Sequence, residues 1–371
     1  MKKGLLVSVA LCSLVGMLAS CGGDSGPAEL AVVTDVGQLM DGGFNQGTWE
    51  GVKGYAEANG KTYQYYQPAN GSNATDADRV EAMESAVKNG AKVIVAPGFL
   101  QATAMTQVAT DNPDVNFVFV DGWALSDKDK NVLNNVTAIT YKEQEAGFMA
   151  GYAVVMDGYT KLGGTFGGGG SNPACNRYAY GFAQGANAAA LIKGVDVEFK
   201  VSFKYGSGFS ASSDLQTQIA GWYKAGTEIV FSCGGSMVNS VIAAANGFEK
   251  AKIVGVDTDQ HALSDKIVTS AMKGLAPSVE KVLGQYYAGK WNDIGGKAQN
   301  LGASDDATGL PTDDAAWRFT SFTKEQYNSL FADIKSGKVT PLSDVAEDCD
   351  TTDFWSLVDV ALLKEEIVLD K

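Results

Sequence analysis

The chain has 371 residues, 29 basic against 43 acidic, and a net charge of −14 with 45% hydrophobic content. So acidic a surface repels nucleic acid and anionic headgroups and argues against a nucleic-acid-binding role, while leaving small neutral ligands open. The length exceeds one comfortable core and suits two domains.

The first twenty residues read as a lipoprotein signal peptide. Lys2 and Lys3 precede the apolar "GLLVSVALCSLVGML", too short for a comfortable membrane span. "LASC" then has the small residues of a bacterial lipobox, which makes Cys21 the lipidated first residue of the mature chain. Residues 21–27, "CGGDSGP", form a flexible tether. Removing Lys2 and Lys3 with the leader leaves 27 basic against 43 acidic residues, a charge of −16.

Short apolar runs then alternate with helical patterns. "LAVVTD" leads to "QGTWEGVKGYAEANG", where Trp49, Val52 and Ala56 share a face and Asn59-Gly60 stops the helix. "KTYQYYQ" precedes the helical "DADRVEAMESAVKNG"; "KVIVAPG", the helical "QATAMTQVAT" and "VNFVFVDG" follow. After "NVTAITYKEQEAGFMAGYAVVM" the rhythm resumes. "KLGGTFGGGG" leads to helices expected near 176–192, 212–225 and 236–250, separated by "VEFKVSF" and "EIVFSCGG" and followed by "KIVGVD". The polar segment near 297–315 reads as a loop, and "FTKEQYNSLFADIKSGK" as a late helix ending at Gly337. The halves share a pattern but no residue-level repeat. This rhythm predicts an α/β fold of two lobes, each a parallel sheet flanked by helices.

Asp35, Asp121 and Asp257 each end an apolar run. Ligands of open parallel sheets bind beyond those strand ends, so three carboxylates there would face one crevice. A single Asp at such a place often caps the next helix instead. "TDVGQLMDGGFNQGTWEG" adds Asp41, Phe44 and Asn45: a ring suited to stacking, and an amide with both donor and acceptor. "YGSGFSASSD" puts Phe209 in a similar setting in the second half, and Trp123 is a rival for either ring. Gly234-Gly235 would let backbone approach a ligand. Lys273 is placed to pair with Asp257 or to serve a hydroxyl.

Other chemistry finds little support. "GGTFGGGG" lacks both phosphate-loop spacings and reads as a bend. Asp257, Asp259 and Asp265 are too few oxygens for a calcium loop. Cys175, Cys233 and Cys349 show no C-x-x-C spacing, which indicates neither zinc nor a disulfide framework. The one histidine, His261, excludes an H-E-x-x-H protease. No cofactor, metal or catalytic group is expected; a nucleoside hydrolase remains the enzyme alternative, without a metal loop or nucleophile–base pair to support it.

"TDVGQLMDGGFNQGTWEG", "YKEQEAGFMAGY", "RYAYGFAQGAN", "FSCGG", "VGVDTDQ" and "TSAMKG" together resemble the basic membrane protein family of substrate-binding lipoproteins of ABC transporters, including purine nucleoside receptors. The resemblance spans about 28–340. It implies a periplasmic-binding-protein-like fold of type I: a first lobe of 28–139 plus 258–300 and a second of 140–257 plus 301–365. It implies Phe44 and Phe209 sandwiching a base, Asp35 and Asn45 on its edge, and Asp121, Gly234, Asp257 and Lys273 on the ribose side. It implies a monomer, lipid-anchored at the extracytoplasmic face of the cell membrane, serving permease and ATPase subunits. Gly42-Gly43 stand where the family often has Ser or Lys-Ser, and the Gly-rich "GGGGSNPACNRYAYG" is a second departure. A sugar or other small polar ligand receptor, or a surface interaction lipoprotein, are the alternatives.

Overall fold

The computed structural model describes residues 27–36, 38–205, 208–343 and, for backbone alone, 363–368. The expected signal peptide, Cys21 and Cys349 lie outside the described residues. The chain opens with β1 (Leu30–Val33), α1 (Phe44–Asn59), β2 (Tyr63–Tyr66), α2 (Asp76–Lys88), β3 (Val93–Pro97), α3 (Ala102–Asp111), β4 (Asn116–Val120) and β5 (Val136–Tyr141). It continues through α4 (Glu143–Asp157), β6 (Lys161–Phe166), α5 (Pro173–Lys193), β7 (Val197–Ser202), α6 (Ser213–Lys224), β8 (Ile229–Cys233), α7 (Met237–Ala245) and β9 (Lys252–Asp257). Then come β10 (Ile267–Lys273), α8 (Leu275–Tyr287), α9 (Trp291–Ile294), β11 (Ala298–Leu301), β12 (Thr308–Gly309), α10 (Lys324–Lys335) and β13 (Leu363–Val368).

Two sheets result. The first runs β11-β5-β4-β3-β1-β2, the second β12-β10-β9-β8-β6-β7-β13. Among the described residues every strand pairing within these sheets is parallel except the short β10–β12 one. The strands "LAVV", "VIVAP" and "IVFSC" are buried at every position because helices cover both faces. Helix α1 ends at Gly60 in the left-handed conformation (φ 61°), as Asn59-Gly60 predicts.

Two sequence expectations are corrected. β10 was expected in the first lobe with 258–300; it pairs with β9 in the second sheet, because the apolar "IVTSAM" continues that sheet past Asp257. The crossing back to the first lobe therefore falls at Gly274. The segment near 297–315 is not all loop: β11 pairs with β5 and β12 with β10, so it crosses from one sheet to the other.

Three crossovers therefore join the lobes, at 141–143, 273–275 and 301–308, and they are tied to one another. Lys142 donates its N–H to Leu301 and Gly274 donates to Ala307. The buried Glu145 carboxylate accepts from the Ala303 N–H at 2.6 Å and the Thr308 hydroxyl at 3.0 Å. Tyr141 and Ser278 hydroxyls hydrogen-bond across the first two crossovers.

Helices α4 and α5 meet backbone to backbone. Gly147 and Gly151 on α4, and Gly181 and Gly185 on α5, have no room for a Cβ: one on Gly181 would stand 2.2 Å from the Gln144 carbonyl, one on Gly185 2.0 Å from that of Phe148. The residue one turn before each first glycine, Glu143 and Arg177, is thereby brought side by side at the edge of the cleft.

Candidate functional site

A cavity of about 480 Å³ lies between the lobes at the carboxyl ends of both sheets. It sits where strand order reverses, beside β1/β3 in one lobe and β6/β8 in the other, the place where open α/β sheets bind ligands. The volume falls in the ordinary range for small-molecule sites.

The first wall is the β1–α1 loop. Asp41 is used up in building it: its two oxygens accept the N–H groups of Gly43 (2.8 Å), Asn45 (3.1 Å) and Gln46 (3.2 Å), filling the role of an N-cap for α1. Asn45 is largely committed as well. Its amide nitrogen donates to Val36 O and Asp41 Oδ2, and its oxygen accepts the Asp35 N–H at 3.1 Å, leaving one lone pair. These bonds hold Phe44 at the first position of α1, half-buried and lining the cavity.

Asp35 differs from both. It is 5% exposed, and among the described residues its Oδ1 has no hydrogen-bond partner. The Arg79 Nε, also unpartnered, stands 3.9 Å away. A Cβ on Gly98 would strike the Asp35 carboxylate at 2.0 Å, so only glycine lets the acid sit there. Burial pushes the Asp35 pKa up to about 7, against the pull of Arg79.

The second wall carries Phe209, in the left-handed region at φ 53°. Its loop rests on Gly234 and Gly235, which also have positive φ: a Cβ on Gly234 would lie 3.0 Å from the Phe209 ring, one on Gly235 2.7 Å from the Phe209 carbonyl. The glycines at the β8–α7 turn thus make room for the aromatic loop. Gly168–Gly170 form a tight turn before α5, in agreement with the bend expected there.

Asp121 and Asp257 stand at the ends of β4 and β9, both left-handed at φ 56° and 66°, a strained backbone of the kind found at working sites. Lys273 lies between them. Its ammonium is 2.5 Å from Asp121 Oδ2, 3.5 Å from Asp257 Oδ1 and 3.6 Å from Glu143 Oε1, and sits 4.5 Å over the Phe44 ring. Since Asp121 belongs to the first lobe and Lys273 to the second, this pair spans the cleft. Burial opposes the lysine charge, but the three carboxylates outweigh it and hold its pKa well above the ordinary range. Burial raises Asp121 to about 6 and raises Asp257 as well, with Lys273 opposing both. The Tyr178 hydroxyl donates to Asp257 at 3.4 Å, and Arg177 Nε donates to Glu143 at 2.6 Å.

All eight ligand-binding positions expected from the sequence, namely Asp35, Phe44, Asn45, Asp121, Phe209, Gly234, Asp257 and Lys273, line this one cavity. Trp123 lines it too, 51% exposed and packed on Phe119. His261 pairs with Asp259 and is not part of the lining. Sequence reasoning missed Glu143, Arg177 and Tyr178. Their signal was the repeated G-x-x-x-G in "EAGFMAGY" and "YGFAQGA", which draws α4 against α5 one turn beyond each of the two charged residues.

A family model described as ABC transporter substrate-binding protein PnrA-like matches residues 28–336. The chain is similar to the ABC transporter nucleoside-binding protein BmpA of Lactococcus lactis subsp. cremoris, 28% identical over 91% of this chain and 98% of that one. It is also similar to basic membrane protein B of Borreliella burgdorferi, 25% identical over 62% and 66%. Among solved structures, an ABC transporter solute-binding protein from Aeropyrum pernix K1 superposes with a TM-score of 0.70 at 19% identity, covering 90% of this chain and 97% of that one.

Proposed function

Because this chain belongs to the family of PnrA-like substrate-binding proteins of ABC transporters, we propose that its cleft takes up a purine nucleoside and presents it to a permease. Two rings from opposite lobes, Phe44 and Phe209, line one cavity whose charged groups are mostly acids; this observation carries the reading. The rings stack on the two faces of a base, which rewards a flat uncharged ligand. Asp35, with an oxygen left unpaired, accepts a base N–H, and Asn45 holds that edge in place and offers its remaining lone pair.

Asp121 and Asp257 accept the hydroxyls of the ribose, with Gly234 backbone alongside and Lys273 between the acids. Charged hydrogen bonds of this kind contribute about 1.5–3 kcal/mol each. Two of them with two stacked rings reach the roughly 8 kcal/mol of micromolar binding before ordering costs. The ligand bridges both lobes, so it favours the closed arrangement by its contacts to each. The name of the Lactococcus lactis relative, a nucleoside-binding protein, is in keeping with this.

The proposal includes a lipid anchor at Cys21, supported by "LASC" after the apolar leader. Among the described residues no helix is long and apolar enough to cross a membrane. Loss of labelled fatty acid from Cys21→Ala tests the anchor. For the ligand, calorimetry with inosine, adenosine, ribose and hypoxanthine is the direct test. Binding of inosine well above ribose and hypoxanthine is expected. Binding of ribose with none of inosine would overturn the nucleoside reading in favour of a sugar receptor. Mass spectrometry of molecules released from the denatured protein would identify the ligand without a guess.

A further inference from the structure

Among the described residues lining the cavity two are cations, Lys273 and Arg177, and they stand in opposite conditions. Lys273 has three carboxylates within 3.6 Å, enough to occupy its three donors. Arg177 spends only Nε, on the buried Glu143 at 2.6 Å. Its terminal nitrogens make no hydrogen bond or ion pair to any described residue, while its side chain is 24% exposed at the cavity wall. Glu143 is fully buried and cannot follow the ligand, so it fixes the plane of the guanidinium. The α4–α5 contact at Gly147 and Gly181 fixes the backbone beneath both groups. A guanidinium only donates, so the free end of this fork calls for an oxygen lone pair on whatever fills the cavity.

We propose that Arg177 contacts the ligand directly, donating from its terminal nitrogens to the 5′-hydroxyl oxygen of the nucleoside. This rests on the nucleoside reading above. The acids of the cleft, Asp121 and Asp257, serve hydroxyls that donate, and the 2′,3′-diol has two such groups. Of the two sugar oxygens then left to accept, O4′ is an ether held within the ring, while the 5′ hydroxyl oxygen projects from it and is the better acceptor. Two cations against the three carboxylates Asp121, Asp257 and Glu143 leave the region one negative charge in excess, which favours a neutral hydroxyl over a 5′-phosphate.

The test compares inosine, 5′-deoxyinosine and inosine 5′-monophosphate by calorimetry on the full mature chain and on Arg177→Gln. Wild type should bind 5′-deoxyinosine at least tenfold more weakly than inosine, the order expected for a bond to a charged donor. It should also bind the monophosphate more weakly than inosine. Arg177→Gln should lose at least tenfold for inosine and less than threefold for 5′-deoxyinosine. Equal losses for the two would show that Arg177 acts only through Glu143, and tighter binding of the monophosphate would make it a phosphate site; either overturns the proposal. Should the variant fail to fold, equal wild-type affinity for inosine and 5′-deoxyinosine overturns it alone. Failure of the nucleoside reading looks different: none of the three compounds would bind wild type.

Discussion

Strand for strand the two lobes correspond: the order β2-β1-β3-β4-β5 in the first is matched by β7-β6-β8-β9-β10 in the second. Under this correspondence Asp121 after β4 and Asp257 at the end of β9 are equivalents, and both adopt the same left-handed backbone. They reach into the cleft from opposite sides and share one lysine. Asp35 and the two rings are not paired. Asp35 follows β1, but the equivalent place after β6 holds a glycine turn. Phe44 opens the helix after β1, whereas Phe209 follows β7, the counterpart of β2. A symmetric pair of acids handles the charged centre of the cleft, and asymmetric loops shape the rest. The ligand has no symmetry of its own to match, so the loops are where specificity is set.

Removing the shared lysine breaks the symmetric part. Lys273→Met leaves Asp121 and Asp257 buried without their counter-charge, while Glu143 keeps Arg177. Losing one partner of a buried network costs about 3–5 kcal/mol, so a clear drop in thermal midpoint is expected. An unchanged midpoint would mean that the acids are already neutral without the lysine.

The asymmetric rings can be taken one at a time. Phe44→Ala and Phe209→Ala should each weaken inosine binding by about 1–3 kcal/mol. Calorimetry on both variants checks this; unchanged affinity in both would pass the stacking role to Trp123. Phe209 carries a second cost that Phe44 does not, a left-handed backbone. Phe209→Gly should therefore be about 1 kcal/mol more stable than Phe209→Ala, since glycine alone is at ease there. Chemical denaturation of the two variants reads that difference.

The same comparison shows what a single sequence discloses. The alternation of "LAVV", "VIVAP" and "IVFSC" with helical spacing is local, and it carried the two-sheet fold. Acids at strand ends were legible because topology forces all such ends to one side. The lobe boundary was not, since β10 follows β9 after only nine residues and its membership depends on pairing, not pattern. β11 and β12 were missed for a similar reason: "AQNL" and "TG" are too short and polar to announce a strand, and their partners β5 and β10 lie far back in the chain. Arg177 and Glu143 needed the α4–α5 contact to be seen together. Whether Asn45 or Asp41 faced a ligand or the loop was beyond any motif, because only hydrogen-bond partners decide it.

Asp121 and Asp257 can also be told apart by ligand. With the ribose diol on Asp257, 2′,3′-dideoxyinosine should bind wild type at least tenfold more weakly than inosine, about 1.4 kcal/mol. Asp257→Asn should erase most of that gap, because an amide accepts through one oxygen only. Titration of both ligands against both proteins is the measurement. A gap that persists in Asp257→Asn but closes in Asp121→Asn would move the diol to the equivalent acid in the other lobe.

Asp35 supplies the smallest and most diagnostic effect. Arg79 is its nearest cation; Asp121, from the end of β4 two strands away, adds repulsion, and Asp41 lies in the same loop. Its folded-state pKa of about 7 lies above the ordinary 3.8. The folded protein therefore holds a proton there that the unfolded chain has released, and stability falls as pH rises from about 4 to about 7. Between pH 6 and 7 the loss from this one group should be about 1 kcal/mol. Asp35→Asn has nothing to titrate at that position, so its denaturation midpoint should fall less steeply over that unit of pH, with Asp121, Asp257 and Asp41, which burial also raises, contributing to the slope that remains. Binding should trend the other way. Inosine offers its N1–H to the carboxylate form, so its affinity for wild type should rise with pH through 7, while adenosine, whose N1 accepts, should favour the protonated acid and weaken. Parallel pH profiles for the two ligands, or identical stability slopes in wild type and Asp35→Asn, would show that Asp35 neither titrates near neutrality nor reads the edge of the base.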